Sequence, residues 1–149
     1  MFPEAWIRVG LPSELDGLND SKQLSPQQRE GFYAFLTSHP EIRWGHAVID
    51  ADVIDAINIL QATHRGMNEA LAKLTPKPTH ALVDGKPVKT LRWTQTALVK
   101  GDSLSFSIAA ASVIAKVARD RLMLEAHGQW PNYGFDQHKG YPTPDHLAA

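Results

Sequence analysis

His80-Ala81-Leu82-Val83-Asp84-Gly85 is the stretch that decides the fold class. The apolar run from His80 to Val83 is strand-like and short, and Asp84-Gly85 closes it as a turn. Downstream, Thr96 to Val99 reads as a second strand, ended by Lys100-Gly101-Asp102. Ser107 then caps an alanine-rich helix running from Ile108 to about Ala126. Upstream, Ile54, Ile57, Leu60, Met67, Leu71 and Leu74 recur at helical spacing and predict a helix from about Asp52 to Leu74, stopped by Pro76. Strands alternating with helices predict an α/β layer fold.

The remaining segments fill in the same pattern. Ala5 to Val9 alternates loosely and predicts a short strand, and Leu11 to Leu24, with its Pro, Gly, Asn, Asp and Ser, predicts a loop. Ser25-Pro26 opens a helix to about Ser38: Ser25 suits the N-cap, Pro26 the first helical position, and Gln28 completes a capping box. Trp44 to Ile49 predicts another strand. Pro131 to Pro144 is turn-rich, and Thr143-Pro144-Asp145 starts one more helix. No repeat, linker or low-complexity stretch divides the 149 residues, so residues 1–149 are expected to form one domain.

Composition narrows the chemistry. There is no cysteine, which removes disulfides, thiolate nucleophiles and zinc-thiolate sites and makes a cytoplasmic setting the expectation. No apolar run approaches the roughly 20 residues of a membrane span. The opening Met1-Phe2-Pro3-Glu4-Ala5-Trp6 lacks a basic region followed by an apolar stretch, so it is not expected to act as a secretory signal. The net charge of −1 is unevenly spread. Met1 to Thr75 carries six basic and ten acidic residues, and Pro76 to Ala149 nine basic and six acidic. A basic second half suits an anionic ligand such as nucleic acid.

Several residues stand out as candidates. Asp84 ends a strand, where carboxylates in α/β sheets point into the functional crevice, although Asp-Gly also makes an ordinary turn. Asp120 lies inside a helix, an unfavourable place for aspartate, with Arg119 and Arg121 beside it as local partners. Two such aspartates are the beginning of a site for Mg²⁺, which is held by carboxylates and substrate phosphates. Lys100-Gly101-Asp102 precedes a serine-rich helix start whose backbone N–H groups, with the lysine, could take a phosphate; a surface turn fits too. Asp20-Ser21-Lys22 has the same phosphate reading, with a helix cap as its alternative. In Tyr133-Gly134-Phe135-Asp136-Gln137-His138-Lys139-Gly140-Tyr141, aromatics interleaved with His138 and Lys139 suit stacking on sugars or bases, or else a packed loop. The seven histidines have no zinc-like spacing, and no Ser-His-Asp order, glycine-rich phosphate loop or dinucleotide fingerprint occurs.

Taken in order, these segments resemble ribonuclease HII. The resemblance rests on Leu18-Asn19-Asp20-Ser21-Lys22, Asn58-Ile59-Leu60-Gln61-Ala62-Thr63, Leu82-Val83-Asp84-Gly85, Lys100-Gly101-Asp102, and Ser107 to Ser112 with Ala115-Lys116-Val117 and Arg119-Asp120-Arg121. Tyr133-Gly134-Phe135 with His138-Lys139-Gly140-Tyr141 completes it, over roughly Gly17 to His146. The resemblance implies a ribonuclease H-like fold, a mixed sheet flanked by helices. It implies hydrolysis of the RNA strand of RNA–DNA hybrids, and of single ribonucleotides in duplex DNA. It also implies a carboxylate cluster holding two Mg²⁺ or Mn²⁺ ions, one activating water and one stabilising the leaving 3′ oxygen. In that pattern Asp84 and Asp120 match the third and fourth carboxylates. Lys22 and Lys100 match residues near the nucleic-acid backbone, and Tyr141 the tyrosine on the sugar at the cleavage junction, where the 2′-OH marks RNA; Lys139, from the aromatic segment, is a further candidate cation for the phosphate.

The sequence departs from the pattern at its start. The family's first strand carries Asp-Glu-x-Gly-Arg-Gly, and no such motif is present; Glu4-Ala5 has neither the preceding Asp nor the following Gly-Arg-Gly. The expectation is therefore a domain incomplete at both ends, without the central first strand and with half of the metal ligands. Such a chain should be a monomer of marginal stability with impaired cleavage. A non-catalytic hybrid-binding module or an inert fragment are the alternatives.

Overall fold

The computed structural model describes residues 1–148 and divides into two compact units, Met1–Ile114 and the segment from Ala115 onward. In the first unit, β1 (His80–Asp84) and β2 (Thr94–Leu98) pair in parallel, with His80 opposite Thr94 and Asp84 opposite Leu98. Ala81 and Val83 are buried while His80, Leu82 and Asp84 face out, as a two-residue period requires. Side chains lock the register. His80 Nδ1 and Nε2 lie 3.0 and 2.9 Å from the Thr94 and Thr96 hydroxyls. The Gln95 amide accepts from Val88 N and donates to Val88 O, both at 2.8 Å, so one side chain holds the connecting loop as a neighbouring strand would.

Helices surround this small sheet in sequence: α1 (Glu4–Val9), α2 (Pro26–Ser38), α3 (Ala51–Ala72) and α4 (Phe106–Gln129), giving the α/β class expected. The capping box of α2 is complete. Ser25 Oγ accepts from Gln28 N at 3.2 Å, and Gln28 Oε1 accepts from Ser25 N at 2.9 Å. Phe32 and Leu36, one turn apart, form its buried face. Leu15, Leu18, Leu24, Ile42, Ala62 and Leu74 are buried too, as are Ile108 to Ala110, Val113 and Ile114 at the start of α4. In the second unit, α4 continues, and the turn-rich tail contains a 3₁₀ turn at Pro131–Tyr133, α5 (Phe135–His138) and α6 (Pro144–Ala148). Thr143 Oγ1 accepts from His146 N at 3.3 Å, which starts α6 where the sequence placed a helix.

Four expectations are corrected. Ala5–Val9 lies in helix α1, not a strand; Glu4 and Arg8, one turn apart, approach to 3.8 Å, and a six-residue segment is too short for loose alternation to decide. Trp44–Ile49 forms no strand; Trp44 Nε1 donates to Thr37 O at 3.2 Å, and His46 O accepts from Lys73 Nζ at 2.7 Å. α3 is broken at Asn58, whose φ of 66° and ψ of 161° leave the helix; Asn58 Oδ1 caps the following segment by accepting from Gln61 N at 3.1 Å. α4 begins at Phe106, so Ser107 lies within it, and Ala109 N donates to Ser105 O at 2.9 Å.

Leu36 is fully buried. Leu36→Ala is expected to lower unfolding free energy by about 2–5 kcal/mol, and Ser25→Ala by about 1 kcal/mol, measured by urea denaturation. Equal losses at the two positions would show that α2 is not anchored through Leu36.

Candidate functional site

Asp84 ends β1 with its carboxylate facing out of the strand, and Oδ1 accepts a hydrogen bond from Gly101 N at 2.8 Å. Two features of the chain bring these groups together. Gly85, at φ 82°, turns the chain, and its N–H donates to Leu98 O at 2.8 Å, tying the ends of the two strands. Lys100 then adopts a left-handed conformation (φ 57°, ψ 42°) at the head of a 3₁₀ turn, Gly101–Ser103. Gly101 is buried, and a Cβ on it would lie 2.6 Å from Ile108 Cδ1 and 3.2 Å from Leu98 Cβ. A side chain there would push the Ile108 δ-methyl aside and crowd Leu98 Cβ, so the close approach favours glycine. The Asp-Gly pair thus turns the chain, as its turn reading expects, and the same geometry holds the Asp84 carboxylate in place.

The phosphate cradle expected after Lys100 is corrected. Ser103 N donates to Lys100 O, and Leu104 N and Ser105 N donate to Gly101 O. These N–H groups close the turn, while the Lys100 side chain remains exposed. The Asp20-Ser21-Lys22 segment is also an internally bonded turn. Asp20 Oδ1 accepts from Lys22 N at 3.0 Å, and Gln23 N donates to Asp20 O at 2.9 Å. Ser21 is buried, with its hydroxyl 2.7 Å from Ser112 Oγ of α4, and Arg29 donates to Ser21 O at 2.9 Å. Lys22 is left exposed on a loop tied down on both sides.

In the second unit, Asp120 Oδ1 lies 2.6 Å from Lys116 Nζ, one turn earlier on α4, with both side chains about four-fifths buried (19% and 22% exposed). The sequence placed Arg119 and Arg121 beside Asp120, but adjacent residues on a helix point apart; the partner is the residue four positions away. Arg119 serves Tyr141 instead. Its guanidinium carbon is 4.4 Å from the Tyr141 ring centroid, and Lys116 Nζ is 5.4 Å from the same centroid. Gly140, at φ 74°, allows this approach: a Cβ there would lie 3.2 Å from Met123 Cε and 3.4 Å from Arg119 Nη2. Lys139 is folded back, its ammonium donating to Asp136 O at 2.8 Å.

The site residues thus form two groups. Asp84, Lys100 and Gly101 make the first; Lys116, Arg119, Asp120 and Tyr141 make the second. Lys116 and Arg119 were missed as site residues. The four-residue spacing of Lys116 and Asp120 was the legible signal, whereas the contact of Arg119 with Tyr141 depends on the tail. Tyr133 and Phe135 stack on each other at 5.6 Å and line, with Met123, Ala126 and Trp130, a cavity of about 370 Å³. A second cavity of about 540 Å³, bordered by His64, Arg65, Asn68, Thr90 and Arg92, holds none of the sequence-predicted residues.

As metal ligands the residues present are a partial set. Among the described residues no group of three or more histidine or carboxylate side chains could hold an ion. One oxygen of Asp84 is bonded to Gly101 N, and one of Asp120 to an ammonium. A pair of hard cations needs more oxygen ligands than these supply. The described residues do not by themselves make a two-ion centre.

Sequence comparison supplies the family. The family model described as Ribonuclease HII matches residues 13–149. A ribonuclease HII of Ruminiclostridium cellulolyticum is 47% identical over 149 residues, covering 99% of this chain and 58% of the relative. One of Bacillus mycoides is 47% identical over 149 residues, covering 99% and 57%. One of Chlamydia muridarum is 47% identical over 137 residues, covering 89% and 61%. The chain thus spans a little under three-fifths of the first two relatives. With a family match over nearly its whole length, a carboxylate fixed at the end of β1 and a second on α4, the chain belongs to the ribonuclease HII family.

Proposed function

We propose that this chain is a single ribonuclease H-type domain, monomeric and cytoplasmic, that engages RNA–DNA hybrids and duplex DNA containing single ribonucleotides. The observation that carries the reading is the Tyr141 ring held against Arg119 beside the Lys116–Asp120 pair. A ring held by two cations and still 45% exposed is suited to lie on a sugar whose 2′-OH marks RNA. Lys22 and Lys100 supply exposed cations for the phosphate backbone, while Lys139, half-buried and bonded to Asp136 O, adds positive charge from the turn before Tyr141. No helix among the described residues is long and apolar enough to cross a membrane, and the absence of cysteine fits a reducing compartment.

In this reading Asp84 and Asp120 would each be a carboxylate ligand for Mg²⁺ or Mn²⁺, whose contribution would be Lewis-acid assistance to hydrolysis. Two carboxylates bind such ions weakly, so cleavage of the RNA strand by this chain is slow relative to binding. The hybrid-binding module is the second reading, favoured by the pairing of Lys116 with Asp120, which balances the carboxylate without an ion.

A labelled DNA duplex carrying one ribonucleotide, incubated with the chain and Mg²⁺ or Mn²⁺, should be cut weakly on the 5′ side of the ribonucleotide, and Asp84→Asn should abolish the cut. Robust cutting that survives Asp84→Asn would remove Asp84 from the chemistry. In binding assays without divalent ions, Lys22→Ala and Lys100→Ala should each reduce the salt slope of log K by about 0.9. An unchanged slope in both variants would place the nucleic acid elsewhere.

A further inference from the structure

One side chain closes the loop that carries Tyr141. His138, the last residue of α5, is 8% exposed, and backbone groups occupy both ring nitrogens: Nε2 is 2.6 Å from Tyr133 O, and Nδ1 is 3.1 Å from Gly140 N. A carbonyl oxygen only accepts and an amide N–H only donates, so these partners fix the ring. Nε2 carries the proton, Nδ1 carries the lone pair, and the imidazole is neutral. Tyr141 N also donates to His138 O at 2.8 Å. Around these bonds the backbone takes two successive left-handed residues, Lys139 (φ 50°) and Gly140 (φ 74°), which lead directly into Tyr141.

The surroundings make the neutral form necessary. The His146 ring of α6 stacks on His138 at 4.0 Å and 11°, and its Nδ1 donates to Tyr141 O at 3.0 Å. Phe135 meets both rings edge-on. The other titratable and charged groups nearby are Asp136 of α5, with Oδ1 3.3 Å from His127 Nδ1 of α4, Lys139, Arg119 of α4 beside Gly140, and the two tyrosines. Both ring nitrogens of His138 face backbone, not a carboxylate. A second proton, on Nδ1, would remove the acceptor from Gly140 N–H and set a cation against the stacked His146 ring.

We infer that His138 is a positioning residue: in its neutral Nε2–H form it holds the Gly140 turn that presents Tyr141 on Arg119, and protonation releases Tyr141. The consequence for substrate rests on the reading of Tyr141 as the sugar contact; the positioning itself does not. The inferred preference for ribonucleotide-containing duplex accompanies the neutral His138 ring and is lost when a second proton on Nδ1 breaks its bond to Gly140 N.

The test is NMR on the ¹⁵N-labelled full chain. At pH 8 the His138 ring should show the Nε2–H tautomer. On acidification the Gly140 amide and Tyr141 ring resonances should move with the same midpoint as the His138 ring. His138→Asn, which keeps an acceptor near the Nδ1 position, should retain the Gly140 and Tyr141 shifts that His138→Ala loses. An Nδ1–H tautomer, a His138 ring that titrates while Gly140 and Tyr141 stay still, or one that stays neutral until the chain unfolds would each overturn the inference. Alongside, binding without divalent ions should show the ribonucleotide preference fall roughly threefold to tenfold in His138→Ala, the range set by one net hydrogen bond, with no further loss in His138→Ala/Tyr141→Ala. If Tyr141→Ala alone leaves the preference intact while the resonances remain coupled, the sugar contact fails and the positioning stands. If the resonances are uncoupled, the positioning fails whatever Tyr141→Ala does.

Discussion

The hydrogen bond from Gly101 N–H to the Asp84 carboxylate is the point at which the first unit's segments are brought into register. It requires strands of matching length, and the parallel pairing that sets Asp84 opposite Leu98 provides this. It requires Lys100 to turn left-handed, so that the next N–H points back toward the strand end. It also favours glycine at 101, where a Cβ would displace the Ile108 δ-methyl and crowd Leu98 Cβ. The same bond thus couples the sheet, the turn and the helix to the position of one carboxylate. A backbone N–H cannot be deleted by changing a side chain, so this arrangement fixes a site group more firmly than a contact between two long side chains would.

The second group is built on a different principle. Lys116 and Asp120 form a partly buried ion pair, in which desolvation offsets much of the Coulomb gain, so its net stabilisation is small. Its effect is on charge: Asp120 is neutralised by a cation from its own helix, and α4 does not depend on a bound ion to keep an aspartate in its interior. The contacts of Arg119 and Lys116 with Tyr141 are each of the order of 0.5–2 kcal/mol. That is weak enough for the backbone before Tyr141 to decide where the ring sits. Left-handed backbone at Lys139 and Gly140 is unfavourable for the lysine, and the His138 bonds to Tyr133 and Gly140 offset it.

What was legible in the sequence follows from how local each signal is. The α2 capping box, the apolar run of β1, the body of the alanine-rich α4 and the start of α6 are local signals legible in the sequence, whereas the N-terminal boundary of α4 is not. Trp44–Ile49 looks like a strand because its residues suit one, but a strand also needs a partner with free backbone groups, and that is not written locally. β2 was placed two residues late since its polar Thr94 and Gln95 do not look apolar; their side chains bond to His80 and Val88, partners found only once the chain folds. The break at Asn58 was missed although Asn58 and Gln61 stand at cap spacing, because the apolar period continues through it. Of the site, Asp84, Asp120 and Tyr141 were named from their motifs. The glycine constraint at Gly101 and the partnership of Arg119 with Tyr141 arise from close approaches between segments distant in sequence.

The measurement that decides whether Asp84 is a fixed site group and not merely a turn residue is amide hydrogen exchange at Gly101, compared between the native chain and Asp84→Asn. A protected Gly101 amide is expected, with protection reduced in Asp84→Asn, where a neutral amide oxygen replaces the charged acceptor. An amide that exchanges at the rate of an exposed loop, and does not respond to Asp84→Asn, would contradict it.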